Sequence, residues 1–321
     1  MTPRFDVVMT STFLAEQAVA ILQAAGCRIH YMRPYPPAEE VAARVAEVQA
    51  HAILTRQGRV TAAAMDASPN LRVIARHGVG VDDVDVAEAA RRGILVTRAP
   101  GSNALAVAEH TMAMLLALAK QFRPLGQTIA DGGWRDPQGR VRDLAGLRLG
   151  LVGFGDIAQR VARMAQAFDI QVSAWSPRLT ETDLAGVAVK ASLNDLLEGS
   201  DAISLHCPYT AQTHHLIGAA ELARMPAGGA VINTARGWIV DEAALATALE
   251  SGHIAGAALD VFEQEPPPAD HPLRRHPRVI CTPHIGGVTE ASLVNMGVMA
   301  AECIAWALTG QSVPEARIVR A

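Results

Sequence analysis

Only four cysteines occur in the 321 residues, Cys27, Cys207, Cys281 and Cys303, far apart and without a CxxC pair. That usage excludes a disulfide framework and suits a reduced, cytoplasmic setting. A cationic surplus is missing too: 28 Lys plus Arg stand against 32 Asp plus Glu, a net charge of −4. Nucleic-acid binding needs clustered Lys and Arg and is not expected, and no block of like charges marks an interaction tail. The most apolar window, residues 104–119, is broken by Glu109 and His110. It falls short of the ~20 residues of a membrane span, so no membrane partner is expected. The N-terminal MTPRFDVVMT carries Asp6 where a signal peptide has its apolar core, and reads as a first strand. No fixed-period repeat or low-complexity run is present, although QEPPPADHP (264–272) is a Pro-rich loop.

What the chain has is apolar material, 50% of its residues against 19% charged, enough for packed cores. Its length allows one large domain or two modest ones at ~150 residues each. Strand-like runs at 5–10, 26–31, 51–56 and 71–76 alternate with helical stretches such as 12–24. This alternation predicts parallel sheets covered by helices. The loop APGSN (99–103) breaks the series and offers Ser102 or Asn103 as a helix N-cap. The helix that follows, about 104–120, is apolar on most sides and is expected between domains or subunits. From Leu147 a second series begins, with strands near 171–175, 201–207, 229–235, 256–262 and 278–284. The run from Thr289 reads as a closing helix capped by Gly310. Two α/β domains fit better than one.

Gly153-Phe154-Gly155-Asp156-Ile157-Ala158 follows the strand LRLGLV and opens a helix. A dinucleotide loop needs one Gly for a tight turn, a second where backbone meets pyrophosphate, and a small third residue for helix–strand packing. Gly153, Gly155 and Ala158 meet those needs, and the N–H groups of Asp156 and Ile157 fall at the helix N-terminus. Gly78-Val79-Gly80 also follows a strand, but Asp82 and Asp83 would repel a pyrophosphate there. The second strand of such a unit normally ends in an acid for the ribose hydroxyls. Here QVSAW is followed by Ser176-Pro177-Arg178, with no acid before Glu181. A missing acid and a nearby cation point to NADP(H), with NAD(H) as the alternative.

Three motifs fall at predicted strand ends: Arg236 in VINTARGWIVDE, Asp260 and Glu265 in ALDVFEQEPP, and His284 in ICTPHIGG. A cation, a carboxylate and a histidine are the set needed to reduce a 2-oxo acid. The planar Arg fork holds a carboxylate and polarises the ketone beside it. Histidine supplies the proton as hydride arrives, and a carboxylate partner keeps the ring protonated.

The chain resembles the D-2-hydroxyacid dehydrogenase family, which includes phosphoglycerate dehydrogenase and glyoxylate/hydroxypyruvate reductase. The matching stretches are RHGVGVDDVD (76–85), GSNALAVAEHT (101–111), LGLVGFGDIA (149–158), HCP (206–208), INTARGWIVDE (232–242), LDVFEQEP (259–266) and TPHIGG (282–287). The resemblance implies an α/β fold of two Rossmann-like domains, with a dinucleotide domain (102–287) inserted into a discontinuous substrate domain (1–101 and 288–321). It implies Arg236, Glu265 and His284 as the catalytic triad, with Thr234 and Asp260 on the nicotinamide side and Ala235, His284 and Gly286 also cofactor-binding. Cys207 and Pro208 fall at a nucleotide-adjacent strand end, although Cys207 itself reads as packing. The backbone of Val79 and Gly80 would hold the substrate carboxylate, and Arg76 sits where phosphoglycerate dehydrogenases carry a substrate-binding Arg. A homodimer is implied, with the 104–120 helix in its interface.

Ser176 departs from the family's acid, and Asp83 stands where many relatives have Asn. Glu265 disfavours a formate role, for which relatives carry Gln. The chain ends soon after the closing helix, so the regulatory domain of long phosphoglycerate dehydrogenases is not expected. A phosphoglycerate dehydrogenase-like enzyme is the alternative reading, and a non-catalytic, dinucleotide-sensing corepressor is the rival from another class. His206, His214 and His215 match no zinc spacing, so no metal is expected. His271 and His276 read as solvated, Glu109 and His110 as satisfied interface polars, and Trp134 as an anchor of the linker 131–139.

Overall fold

The computed structural model describes residues 4–136 and 140–320. Residues 1–3 of the N-terminal segment, 137–139 of the linker and residue 321 lie outside the described residues. The chain divides into two compact units, Met1–Asn103 with Val288–Ala321, and Ala104–Gly287.

The first unit opens with β1 (Phe5–Met9), α1 (Glu16–Ala24), β2 (Cys27–Tyr31), α2 (Ala38–Val48) and β3 (Ala52–Thr55). α3 (Ala62–Asp66), β4 (Val73–Arg76), α4 (Val86–Arg91) and β5 (Leu95–Thr97) follow. The described strands pair in parallel in the order β2-β1-β3-β4-β5. β3 is buried along its whole length, which is why its first three residues are apolar without alternation, with Thr55 the polar residue at its end.

The second unit carries α5 (Ala104–Ala119), α6 (Phe122–Ala130), β6 (Arg148–Val152), α7 (Asp156–Gln166), β7 (Gln171–Trp175), β8 (Val187–Val189) and α8 (Leu193–Glu198). It continues with β9 (Ala202–Leu205), α9 (Ala219–Arg224), β10 (Gly229–Asn233), α10 (Glu242–Glu250), β11 (Ile254–Leu259), α11 (Pro272–Arg275) and β12 (Val279–Cys281). Its described strands form one parallel sheet in the order β12-β11-β10-β9-β6-β7-β8. The order reverses between β6 and β9, the switch point at which open α/β sheets bind ligands.

The chain returns to the first unit as α12 (Glu290–Thr309), packed on α1 and β4. Thr289 and Ser292 cap it reciprocally, and Gly310 closes it in the left-handed region at φ +79°. A Cβ at Gly297 would lie 3.3 Å from Ala18 and from Leu14, so glycine permits this close helix contact. By length and composition α12 would also cross a membrane, and 44% of its apolar window is buried within the structure.

Several elements differ from the expectations. β5 and β8 are three residues each, too short to show a period. α6 forms despite Pro124, because a proline in the first turn gives up only an N–H that has no helical partner. Ser102 does not cap α5; its hydroxyl donates to the Ala99 carbonyl at 2.7 Å. α5 buries Ala108, Met112 and Leu115 against Val161, Ala162 and Ala165 of α7, so much of its apolar surface is used inside its own unit. α5 still exposes Leu105, and the neighbouring α6 exposes three large apolar residues, Phe122, Leu125 and Ile129. Trp134 is 82% exposed, which does not suit the anchoring role expected for it among the described residues.

Candidate active site

At the end of β6, Gly153 turns at φ +88°, and a Cβ there would sit 2.8 Å from the Cys207 nitrogen. Glycine is therefore required both for the turn and for the approach of the β9 end. Gly155 is the N-cap of α7 and brings no side chain to cap it. A Cβ at Gly155 would meet nothing within 4 Å. The first turn of α7 thus offers unpaired N–H groups, those of Asp156 and Ile157 among them, onto open space. Ala158 is fully buried beneath. These features fit a pyrophosphate: positive dipole end, open approach and close helix packing. The Asp156 carboxylate bonds Arg160 within the helix at 2.9 Å.

At the end of β7, Ser176 is half-buried and its carbonyl accepts from Leu179 N. Arg178 is exposed. At the end of β9, Cys207 is half-buried and Pro208 exposed. Burial pushes the Cys207 thiol up to about 11, which makes it a packing group rather than a thiolate nucleophile. Burial holds His206 neutral, down to about 4, and its Nε2 shares a hydrogen bond with Ser204.

The turn after β10 is built by Asn233, a buried side chain that donates to the Arg236 carbonyl (2.9 Å) and accepts from Ala235 N (3.0 Å). Thr234 meets Thr111 of α5 at 2.9 Å. Arg236 is half-buried and donates to the Ala235 carbonyl. Next to it, Gly237 is buried, and a Cβ built there would overlap the Phe262 carbonyl and the Glu263 nitrogen. The Arg236 turn and the loop leading to Glu265 therefore touch backbone to backbone.

Asp260 is 2% exposed and anchors the loop after β12. Its Oδ1 accepts from the Thr282 hydroxyl (2.5 Å) and Ile285 N (2.9 Å), and Oδ2 accepts from Gly286 N (2.8 Å). His110 of α5 joins them, with Nε2 3.0 Å from Thr282 Oγ1. This loop holds His284 at φ +52°, a conformation a non-glycine residue keeps only when its surroundings impose it. His284 Nδ1 lies 2.7 Å from Glu265 Oε2, and Glu265 Oε1 accepts from Phe262 N at 3.1 Å. Burial opposes ionisation of Glu265, but the His284 and Phe262 hydrogen bonds and the nearby Arg236 charge outweigh it. The carboxyl stays below its usual range and can only accept. The proton between the pair therefore sits on Nδ1, which leaves Nε2 for another partner.

In the first unit, Arg76 ends β4 and its guanidinium turns inward. Its Nε donates to the Gly80 carbonyl at 2.8 Å, and Nη1 donates to the Thr55 and Arg56 carbonyls at 3.1 and 2.6 Å. Val79 and Gly80 are half-buried in the loop that follows.

Sequence reasoning missed Thr111, Asn233 and Gly237, whose partners are set by the fold. His271 is not solvated: Nε2 bonds Glu242 at 2.9 Å with the side chain 14% exposed. Glu242 and Glu263 exchange backbone-to-carboxylate hydrogen bonds, and His215 bonds Glu263, so this network braces the Glu265 loop.

A doubly wound parallel sheet with an uncapped, glycine-opened helix at its switch point is a dinucleotide-binding domain. Residues 112–286 match the family described as "D-isomer specific 2-hydroxyacid dehydrogenase, NAD binding domain". The glyoxylate reductase of Thermofilum pendens is 37% identical over 293 residues, 89% of this chain and 86% of that one. The D-3-phosphoglycerate dehydrogenase of Archaeoglobus fulgidus is 35% identical over 298 residues, 92% of this chain but 56% of the relative, so the chain spans little more than half its length. The crystal structure of the TT0316 protein from Thermus thermophilus matches with a TM-score of 0.90 at 37% identity, covering 98% of this chain and 99% of that one. The chain belongs to the D-isomer specific 2-hydroxyacid dehydrogenase family.

Proposed function

We propose that the chain is an NAD(P)-dependent dehydrogenase that reduces a small 2-oxo acid of the glyoxylate or hydroxypyruvate type to its D-2-hydroxy acid. One observation carries this reading: the His284–Glu265 pair at 2.7 Å, within reach of the Arg236 charge, in the unit that holds the glycine loop. Gly153, Gly155, Asp156 and Ile157 would hold the pyrophosphate, and Cys207, Pro208, Thr234, Ala235, Asp260 and Gly286 the nicotinamide half. When bound, the nicotinamide supplies hydride. Arg236 draws electron density from the 2-oxo group with its planar fork and grips the carboxylate beside it. His284 Nε2 delivers the proton to the developing alkoxide, and Glu265 stabilises the imidazolium before the transfer. The N–H groups of Val79 and Gly80 hold a carboxylate in the first unit, with Arg76 shaping their loop through its bond to the Gly80 carbonyl.

NADP(H) is the favoured cofactor, since Ser176 presents no acid to a 2′-phosphate and Arg178 is exposed two residues on. The exposed apolar face of α6, beside α5, supports a homodimer, which light scattering at micromolar concentration checks. Two measurements test the enzyme reading. A panel of 2-oxo acids with NADH and NADPH must give steady, substrate-dependent oxidation, which a corepressor-like binding protein would not. His284→Ala must abolish turnover while dinucleotide affinity stays within about threefold, and near-normal turnover would sink the assignment.

A further inference from the structure

Within the second unit, α5 touches two of the loops that carry the proposed chemistry, and it does so from adjacent residues. His110 and Thr111 diverge by ~100° around the helix, so they reach different strand ends. His110 Nε2 lies 3.0 Å from Thr282 Oγ1 in the loop after β12, and Thr111 Oγ1 lies 2.9 Å from Thr234 Oγ1 in the turn after β10. Counting hydrogens fixes the direction of both bonds. The one hydroxyl proton of Thr282 goes to the Asp260 carboxylate at 2.5 Å, so Thr282 can only accept from His110, whose hydrogen must sit on Nε2. The Thr111 proton goes to the Val107 carbonyl at 2.8 Å, so Thr234 donates to Thr111. A Cβ at Gly286 would lie 3.0 Å from the His110 ring and 2.9 Å from Asp260 Oδ2, so glycine lets ring and carboxylate close on the loop together.

We propose that His110 and Thr111 are positioning residues, a two-point clamp on α5 that sets the spacing between His284 and Arg236. This rests on the dehydrogenase reading above. His284 follows Thr282 by two residues, and Arg236 follows Thr234 by two. Asp260 fixes the His284 loop from β11, and His110 fixes it from the helix, which together impose the strained φ of +52°. Asn233 shapes the Arg236 turn from within, whereas Thr111 ties that turn to the same helix. β10, β11 and β12 are successive neighbours in the sheet, so one helix gauges the distance across three strand ends. A proton donor and a carboxylate-binding fork must face one small acid together, and a rigid element that holds both is what such a geometry needs.

The test compares the parent with His110→Phe, His110→Gln, Thr111→Val and Thr111→Ser, on the better of glyoxylate and hydroxypyruvate. Phenylalanine keeps a ring without a donor, whereas glutamine carries an N–H at about the reach of Nε2. Valine keeps the shape of threonine without its hydroxyl, which serine restores. His110→Phe is expected to lower kcat about tenfold with KM within about threefold. It should also move the alkaline fall of the pH profile to lower pH, because a displaced His284 loosens from Glu265. Thr111→Val is expected to raise KM about tenfold with the pH profile unmoved, since it releases the Arg236 side. The glutamine and serine variants should stay within about threefold of the parent in both constants. His110→Met replaces the phenylalanine variant if the larger ring prevents folding. Equal losses in the donor-free and donor-bearing variants overturn the clamp. So does parental kcat without the donor, or a loss confined to dinucleotide affinity or unfolding temperature. A parent inactive on every 2-oxo acid overturns the dehydrogenase reading and this inference with it.

Discussion

Gly237→Ala is the sharpest perturbation that the geometry offers. Position 237 lies outside the left-handed region, so alanine suffers no backbone strain there and only the added methyl matters. That methyl would occupy the space of the Phe262–Glu263 peptide. Carbon atoms approach to about 3.5 Å, so the two loops must part by more than about 1 Å. One of these loops carries Arg236 as the neighbouring residue. The other carries Glu265, tied back to Phe262 N at 3.1 Å and forward to His284 at 2.7 Å. A misplacement of ~1 Å in a reacting constellation lowers rate by roughly 10²-fold, and overpacking costs about 1–3 kcal/mol of stability. Gly153 and Gly155 belong to a different strand end, so the pyrophosphate site is untouched, and any loss of dinucleotide affinity should come only through the neighbouring Thr234 and Ala235 and stay well below the loss in rate. Steady-state kinetics, fluorescence titration of the dinucleotide and thermal unfolding together resolve the outcome. Gly155→Ala is the counterpart: its methyl fills the open approach and should weaken the dinucleotide without lowering stability. A Gly237→Ala protein with parental kcat/KM, or one whose loss lies wholly in dinucleotide affinity, would refute the idea that this backbone contact sets the catalytic geometry.

Glu265→Gln should move the alkaline fall of the reduction profile to lower pH, because the imidazolium loses the carboxylate that stabilises it; an unmoved profile argues against the pairing. Ser176→Asp should shift the kcat/KM ratio toward NADH, and Arg178→Ala should weaken NADPH by one to two decades if its contact contributes ~1.5–3 kcal/mol. A parent favouring NADH, or a ratio indifferent to both changes, contradicts the NADP(H) preference. Asp201 clamps the amino end of β6 and β9 through Arg148 and Arg142, and chiefly the Arg148 hydrogen bonds hold its carboxyl far below the usual range. Its folded value being depressed, the stabilisation is complete above the unfolded value of about 3.9 and is lost as pH falls through the folded one. Asp201→Asn should therefore cost about 2 kcal/mol at neutral pH and progressively less below about pH 4, read by thermal unfolding against pH.

The parts of this molecule that sequence made legible share one property: their signal is local. The parallel sheets declare themselves because strands buried on both faces are apolar without alternation, as in residues 52–54 of β3. The glycine loop declares itself because tight turn, open approach and helix start fall within six consecutive residues, 153–158. Arg236, Glu265 and His284 stand out as charged or titratable groups placed just after apolar strands. What stayed hidden depends on partners far away in the chain. Trp134 looked like an anchor by size alone, and His271 looked solvated by its Pro-rich neighbours until Glu242 was found beside it. α6 is hidden by Pro124, which a first turn tolerates, and by Gly126 in its middle, both of which punctuate a sequence.

The same distinction explains why similar acids have different work. Asp260, Glu265 and Asp83 all lie just beyond strands or in the loops that follow them, and residue type alone cannot rank them. Donors do. Asp260 receives hydrogen bonds on both oxygens from the loop it anchors, so its charge is consumed in holding His284 at a positive φ. Glu265 receives one from its own loop and offers the other oxygen to His284, which is what the proposed proton transfer requires of it. Asp83 pairs with Arg76 at 3.2 Å and accepts from the Thr55 hydroxyl at 3.4 Å, so its carboxylate helps hold the inward-turned guanidinium of the first unit. Replacing each by its amide should therefore produce three different failures. Asp260→Asn should collapse the 282–286 loop and take stability with activity. Glu265→Gln should displace the pH profile in a folded protein. Asp83→Asn should loosen the Arg76 loop of the first unit, read as a lower unfolding temperature with the pH profile unmoved.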